Sequence, residues 1–144
     1  MTVLITGASR GIGAALTARF LKEGHHTVIA VSRNKKRLDE LKNRLIMEAP
    51  SVKLLVKVLD LTVESELKSF IAWFEESFSS LDILVNNAGI AGPVARLEDI
   101  AVADWGRTID VNLNGTFYVT RKAVPMMKNA NSGSIINIAS TAAL

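Results

Sequence analysis

A glycine-rich segment near the start of the chain has the residue types of a phosphate-binding turn. From Thr6 to Gly13 the sequence reads Thr-Gly-Ala-Ser-Arg-Gly-Ile-Gly, directly after the apolar run from Val3 to Ile5 and directly before apolar residues at helical spacing. Glycine lets the backbone approach a pyrophosphate closely, and the free N–H groups and dipole of the following helix attract its negative charge. The segment therefore predicts a dinucleotide site, with the need for a tight turn alone as the alternative.

The spacing of these glycines departs from the strict G-x-G-x-x-G fingerprint. Gly11 and Gly13 occupy the first two positions, but Leu16 stands where the third glycine belongs. On this fingerprint alone the assignment would be weak, and the strand-turn-helix context strengthens it. The residues predicted to contact a cofactor in this turn are Gly7, Ser9, Arg10, Gly11, Ile12 and Gly13.

The second predicted strand ends without the acidic residue that often binds a ribose 2′-hydroxyl. About 20 residues after the glycines, that position is occupied by Ser32, Arg33 and Asn34. A guanidinium there can bind a 2′-phosphate through two hydrogen bonds, and the basic run 35–37 adds positive charge. The sequence therefore favours NADP(H) over NAD(H), the alternative being that these charges form the solvated first turn of a helix.

The elements that must position these residues alternate between strand and helix. Gly24 has the position of a left-handed residue that ends the first helix, Asn34 can cap the second, and Pro50 closes it. A longer helix is predicted to start near Asp104 and to run beyond Tyr118. This order predicts a parallel sheet of about five strands with helices on both faces, the doubly wound class. The predicted strands are 3–5, 27–31, 52–59, 83–85 and 134–139.

Composition narrows the range of functions. The 144 residues contain no cysteine, which excludes disulfides, thiolate nucleophiles and cysteine-based zinc sites and makes the cytoplasm the default location. A net charge of +3 is too small to predict a nucleic-acid track, and no apolar run reaches the roughly 20 residues of a membrane span. We find no secretory signal at the start and no metal-binding cluster, and His25 and His26 are predicted to face solvent in a turn.

Further motifs give the chain a family resemblance. Asn86-Asn87-Ala88-Gly89 follows the fourth strand, Asp110-Val111-Asn112-Leu113-Asn114-Gly115 lies on the long helix, and the fifth strand runs through Gly133-Ser134-Ile135-Ile136-Asn137-Ile138-Ala139-Ser140. Together with Thr6-Gly7-x-x-x-Gly11-x-Gly13, these segments resemble the short-chain dehydrogenase/reductase family in order and spacing. The resemblance implies one Rossmann-type dinucleotide-binding domain over residues 1–144.

The resemblance also implies roles for particular residues. Asn87, Ala88 and Gly89 would lie beside the cofactor, and the amides of the two asparagines can tie strand ends together. Asp60 and Leu61, at the end of the third strand, match the family's adenine contact, although an aspartate there could equally be a turn or N-cap residue.

Two further residues match catalytic positions of the family. Asn112 corresponds to the asparagine that holds a water in a proton relay, and Ser140 to the serine that hydrogen-bonds the substrate oxygen. The family's Tyr-x-x-x-Lys pair lies after the serine strand, whereas this sequence ends at Leu144. We therefore expect the chain to be truncated after the fifth strand, to lack the family's C-terminal strands, and to be inactive without that pair.

One stretch of this sequence, residues 118–122, also has the spacing Tyr-x-x-x-Lys. Tyr118 and Lys122 have the same spacing, but they precede Ser140 and share a helix with Asn112. Six residues separate Asn112 from Tyr118, so about 600° of rotation places them nearly opposite each other on a helix. The sequence favours a packing or subunit surface for Tyr118, and an oligomer contact along 104–128 is one prediction that follows.

The resemblance implies an NADP(H)-dependent oxidoreductase that interconverts a small-molecule carbonyl and a secondary alcohol. The charge and the hydropathy predict neither a nucleic-acid nor a membrane partner. A second hypothesis is a non-catalytic nucleotide-binding or interaction module. The third is that these residues are part of a longer enzyme. The residues themselves do not predict which substrate is used.

Overall fold

The computed structural model describes residues 1–24, 27–49, 51 and 53–140. Its strands form one parallel sheet in the order β3-β2-β1-β4-β5, which confirms the predicted doubly wound class. The strands are β1 (Thr2–Thr6), β2 (Thr27–Ser32), β3 (Lys53–Val58), β4 (Ile83–Asn86) and β5 (Ser134–Asn137).

Helices connect successive strands on both faces of the sheet. Gly24 follows the first helix at φ +83°, as predicted, and the Asn34 side chain caps the second by accepting a hydrogen bond from the backbone N–H of Arg37 at 2.9 Å. The helices are α1 (Gly11–Lys22), α2 (Lys35–Glu48), α3 (Glu64–Ser77), α4 (Val102–Ile109) and α5 (Gly115–Asn129), with a short 3-10 helix at Leu97–Asp99.

Successive residues of the central strands pack alternately into two separate hydrophobic cores, one on each face of the sheet. Val3 and Ile5 point to the face covered by α1 and α2, whereas Leu4 points to the face covered by α3 and α5. Because both faces are covered, the central strands are apolar at nearly every position. This burial fixes the position and direction of the carboxyl ends of the strands, where the candidate site lies.

The long helix differs from the prediction in its interior. It begins at Val102, and a π-helical turn at Asp110–Asn114 separates α4 from α5. Wide turns of this kind occur at functional sites, and this one contains Asn112. Strand limits differ by one or two residues, β5 ending at Asn137 rather than at Ala139.

Several predictions fall on residues outside the described ranges. They concern the turn at His25 and His26, the end of the second helix at Pro50 and the start of the third strand at Val52. Within the described ranges, none of the helices is both long and apolar enough to cross a membrane.

Candidate functional site: a pocket at the strand ends

A cavity of about 660 Å³ lies at the carboxyl ends of the strands, where open parallel sheets usually bind ligands. It is bordered by the glycine turn, by the loops after β2 and β3, and by the segment after β4. Of the residues predicted to contact a cofactor, thirteen line it: Gly7, Ser9, Arg10, Gly11, Ile12, Ser32, Arg33, Asn34, Asp60, Leu61, Asn87, Ala88 and Gly89.

Gly13, the remaining residue of that set, supports the pocket from beneath. A Cβ at this position would lie 2.5 Å from Asn87 Nδ2 and 2.6 Å from the Gly7 carbonyl oxygen. Gly7 has φ +63° and Gly11 φ +54°, a left-handed backbone that glycine adopts readily. Gly13 is therefore required for close packing of the turn against the β4 end. Gly7 serves the same packing, because a Cβ there would lie 2.7 Å from Ala88 Cα, whereas Gly11 shapes the turn itself.

The glycine turn is tied to the segment after β4 by Thr6 and Asn87. Thr6 Oγ1 accepts from the backbone N–H groups of Asn87 and Ala88, both at 3.0 Å, and donates to the Val85 carbonyl at 3.3 Å. The Asn87 amide in turn donates to the carbonyls of Thr6 and Gly7, at 3.0 and 3.1 Å. The expectation that the asparagine amides join strand ends is thus confirmed, and the two walls of the pocket form one hydrogen-bonded unit.

The start of α1 leaves donors for an anion. Arg10 is its N-cap residue, with an extended backbone and no side-chain capping bond, and the first turn contains no acidic residue. The first N–H groups of a helix have no intrahelical acceptor, so here they and the helix dipole favour a negatively charged ligand. The Ser32 hydroxyl donates to Ser9 Oγ at 2.8 Å and connects the β2 end to this turn.

Arg33 and Asp60 form an ion pair across the far end of the pocket. Their Nη1 and Oδ2 atoms are 3.5 Å apart, and both side chains are partly exposed. Asp60 Oδ1 also accepts from the backbone N–H and the hydroxyl of Thr62, at 2.9 and 2.7 Å. Asp60 is therefore a turn residue that also faces the pocket, and the N-cap residue of α3 is Val63.

The same contacts determine the acidity of Asp60. Partial burial raises the pKa of this carboxyl, but the hydrogen bonds from Thr62 and the neighbouring Arg33 guanidinium outweigh burial and bring the pKa below its ordinary value. Asp60 is thus ionised at neutral pH, and it holds Arg33 at the pocket.

The two residues that match catalytic positions are not among those lining the cavity. Asn112 exchanges two hydrogen bonds with the backbone of Ile90, accepting at 2.8 Å and donating at 3.0 Å. Ile90 lines the cavity, so Asn112 fixes part of its wall. Ser140 is exposed and lies three residues beyond the end of β5.

Asn86 connects α5, which follows the turn that contains Asn112, with β5, which precedes Ser140. Its side-chain amide donates to Thr120 Oγ1 on α5 and to Asn137 Oδ1 on β5, each at 2.9 Å. Its own Oδ1 is buried and has no hydrogen-bond partner within the described part of the chain. Tyr118 contacts Phe117 with ring centroids 5.7 Å apart and is 40% exposed, consistent with the predicted surface role.

The cavity also has wall residues that the sequence analysis did not single out as cofactor contacts. Apolar residues at strand ends and helix starts have no chemical signature, and Thr62 resembles any loop threonine. Arg37 was predicted only as one charge in a basic run. The additional residues are Val31, Arg37, Leu59, Thr62, Ile90 and Val111. Among the described residues no group of three or more His, Cys, Asp or Glu could hold a metal ion.

Comparison with characterised proteins agrees with this architecture. The chain is 40% identical over 142 residues to the NADP-dependent 3-hydroxy acid dehydrogenase YdfG of Escherichia coli (strain K12), covering 99% of this chain and 55% of that protein. It is 37% identical to a 3beta-hydroxysteroid dehydrogenase of Mediterraneibacter gnavus, again over 99% of this chain and over 50% of the relative. The chain therefore spans about half the length of these curated relatives.

Solved structures of dehydrogenases are also similar to this chain. A closed form of serine dehydrogenase complexed with NADP+ superposes with a TM-score of 0.88 at 40% identity, covering 99% of this chain and 55% of that one. Serine dehydrogenase from Escherichia coli gives a TM-score of 0.87 over 99% of this chain and 63% of its own. A sequence profile described as short chain dehydrogenase matches residues 1–144, and the chain belongs to that family.

Proposed function

We propose that the pocket binds NADP(H) and that the chain is the cofactor-binding part of an oxidoreductase that interconverts a carbonyl and a secondary alcohol. One observation carries the proposal: the anion-binding glycine turn and Arg33 line the same cavity. A pyrophosphate would meet the free N–H groups of α1, and a 2′-phosphate would meet the Arg33 guanidinium. The relatives named above, two of which are described with NADP, support this choice of cofactor.

The residues present fit such a cofactor. Gly11, where a Cβ would meet no atom within 4 Å, keeps the turn free of a side chain where the pyrophosphate would approach, and Asp60 and Leu61 line the end where an adenine would bind. When bound, the nicotinamide supplies or accepts the hydride. The remaining tasks fall to the protein: Arg33 selects the 2′-phosphate, and Asn112 holds the Ile90 wall and is assigned the water of a proton relay.

Ser140 is assigned the hydrogen bond to the substrate oxygen. A serine hydroxyl is a poor proton donor near neutral pH, so Ser140 would orient the carbonyl without exchanging its proton. A tyrosine and lysine pair of the family type would have to supply that proton. We accordingly expect the 144-residue chain to show no NADPH oxidation with a panel of ketones and aldehydes, and turnover abolished by Tyr118→Phe would contradict this.

Calorimetric titration with NADP+ and NAD+ tests the cofactor assignment. The Arg33→Ala variant should bind NADP+ roughly ten- to more than a hundredfold more weakly, because a charge-assisted contact contributes about 1.5–3 kcal/mol. NAD+ binding should change little, since that cofactor lacks the 2′-phosphate. Equal losses for both cofactors would show that Arg33 serves folding or the shared phosphates instead.

The location and assembly of the protein are also proposals. The absence of cysteine and the reducing setting it suggests favour the cytoplasm. A homo-oligomer contact along 104–128 is supported by the exposed side chains of Trp105, Leu113 and Phe117 on this stretch. Analytical ultracentrifugation of the wild type and of Phe117→Glu tests it, and an unchanged sedimentation coefficient would argue against this surface.

The second candidate function is a non-catalytic nucleotide-binding module. It is favoured by the position of Asn112 and Ser140, neither of which lines the cavity. Binding of NADP+ without turnover, in a chain extended by a downstream Tyr-x-x-x-Lys segment, would support this alternative over the oxidoreductase.

A further inference from the structure

A second cavity of about 430 Å³ adjoins the pocket on the outer side of the glycine turn, and we call it the arginine cavity. Arg10 from the turn and Arg37, Glu40, Leu41 and Arg44 from α2 are among the residues that line it, so three guanidinium groups and one carboxylate border this cavity. Arg10 and Arg37 line the pocket as well, so they lie at the border between the two cavities. An anionic group at this border could be reached from both sides.

Helix geometry separates Arg37 from its basic neighbours. Lys35, Lys36 and Arg37 are the first three residues of α2, and successive side chains on a helix are about 100° apart. The three cations therefore point in different directions. The Lys35 ammonium lies 2.6 Å from Asp39 Oδ2, and of the three residues only Arg37 lines either cavity.

The direction of Arg37 is fixed by contacts at both ends of the first turns of α2. The Asn34 side chain accepts a hydrogen bond from the Arg37 backbone N–H at 2.9 Å, which fixes the start of the helix. Leu41, four residues further on, is 4% exposed and belongs to the core between α2 and the sheet. Arg37, Leu41 and Arg44 thus share one helix face, and burial of Leu41 determines where that face points.

Arg33 and Arg37 also differ in their present partners. Arg33 is paired with Asp60 at 3.5 Å, so a phosphate would have to compete with that carboxylate or share the guanidinium with it. Arg37 has no carboxylate oxygen within 4 Å among the residues that the structure describes. Its guanidinium can donate two parallel hydrogen bonds to a phosphate without giving up an existing ion pair.

We propose that Arg37 is a specificity-determining residue that binds the 2′-phosphate from the border with the arginine cavity, opposite Arg33. This inference rests on the proposed NADP(H) function and deepens it. It adds one residue of the basic run 35–37 to Arg33 as a partner of the 2′-phosphate, whereas the sequence did not distinguish among the three residues of that run.

Lys36→Ala is the matched control for Arg37→Ala, because both remove one positive charge from the same helical turn. Calorimetry with NADP+, NAD+ and 2′,5′-ADP should show Arg37→Ala binding the two 2′-phosphate compounds about tenfold more weakly, with NAD+ changed less than twofold. Lys36→Ala should change all three by less than about twofold, because Lys36 lines neither cavity and its exposed charge is screened by salt. Arg37→Lys, which keeps the charge but loses the planar fork, should fall between wild type and Arg37→Ala.

Three outcomes would overturn the inference. Equal weakening of NADP+ and NAD+ binding would place Arg37 at the phosphates that both cofactors share. Equal effects of Arg37→Ala and Lys36→Ala would show that Arg37 contributes only non-specific positive charge. An unchanged preference of Arg37→Ala for NADP+ over NAD+ would exclude Arg37 as a specificity determinant and would leave the proposed function intact. By contrast, a folded wild-type chain that binds neither dinucleotide would refute the proposed function itself, and circular dichroism of each variant identifies any loss of folding.

Discussion

The centre of the sheet and its β5 edge differ in how tightly they hold the residues at their ends. Val3, Leu4 and Ile5 of β1 are 0–2% exposed, whereas Ile135 and Ile136 of β5 are 36% and 42% exposed. Most residues that line the pocket lie at or just after the ends of β1, β2, β3 and β4, whereas Ser140 follows the exposed edge strand β5. The difference indicates that burial holds the pocket-lining residues after β1 more firmly than the residues after β5.

The hydrogen bonds follow the same division. At the centre, Thr6 and Asn87 join β1 to the segment after β4 through four contacts of 3.0–3.1 Å. Towards the edge, Asn86 reaches Thr120 and Asn137 with its amide nitrogen only, and its oxygen is buried without a partner among the described residues. A buried acceptor left unpaired costs about 1–3 kcal/mol, so the edge is the less satisfied of the two regions.

The largest expected effect is that of Gly13→Ala. The added Cβ would overlap Asn87 Nδ2 and the Gly7 carbonyl, neither of which can move without breaking the tie between β1 and β4. We expect a loss of about 3 kcal/mol in the free energy of unfolding, at the upper end of overpacking costs. Urea denaturation measures it, and a loss below about 1 kcal/mol would show that the centre is less rigid than its contacts indicate.

A pair of threonine variants compares the two regions directly. Thr6→Val removes the acceptor of two backbone N–H groups and should cost about 2 kcal/mol, whereas Thr120→Val removes one acceptor of the Asn86 amide and should cost about 1 kcal/mol. The substitutions are chemically identical, so the difference reports the surroundings. A lower urea unfolding midpoint for Thr120→Val than for Thr6→Val would contradict the conclusion that the sheet centre is held more tightly than the β5 edge.

Gly106 provides a glycine outside the pocket for contrast with Gly13. It lies in α4, and a Cβ built there meets no atom within 4 Å. Gly106→Ala should therefore stabilise the protein by about 0.5–1 kcal/mol through helix propensity and the entropy of the unfolded chain. Thermal denaturation gives the sign, and a lower melting temperature would mean that this face of α4 is packed against something.

The smallest effect concerns the pH dependence contributed by Asp60. Its pKa is lowered in the folded state, so its contribution to stability is present above the unfolded value near 4 and is lost as the pH falls through the folded value. Asp60→Asn should unfold at slightly lower urea than wild type at pH 7, and the two midpoints should converge at strongly acid pH. A constant difference across the titration would show that the contacts of Asp60 are independent of its charge.

Much of this fold could be predicted because its signals are local. The alternation of apolar runs, Gly24 and the Asn34 cap each depend on a few consecutive residues, and the structure confirms them. The tie between Thr6 and Asn87 spans 81 positions, so its partners become neighbours only when β1 pairs with β4.

Other features of the site could not be predicted from sequence for similar reasons. The pairing of Arg33 with Asp60 depends on how two strand ends meet, and the direction of Arg37 depends on the rotation of α2, which its core residues set. A π-helical turn and an α-helical turn accept the same residue types, so the sequence of 110–114 does not distinguish them.

The π-helical turn has a consequence for insertions and deletions. Val111, Gly115, Val119, Ala123 and Met127 are buried, and they recur every four residues. An uninterrupted helix of 3.6 residues per turn would rotate this row by about 40° at each step, and the wider turn offsets part of that drift. Deleting one residue from 110–114 would restore a regular helix but turn α4 by about 100° relative to α5, which would carry Asn112 away from Ile90. Length variation should therefore be selected against in this one turn.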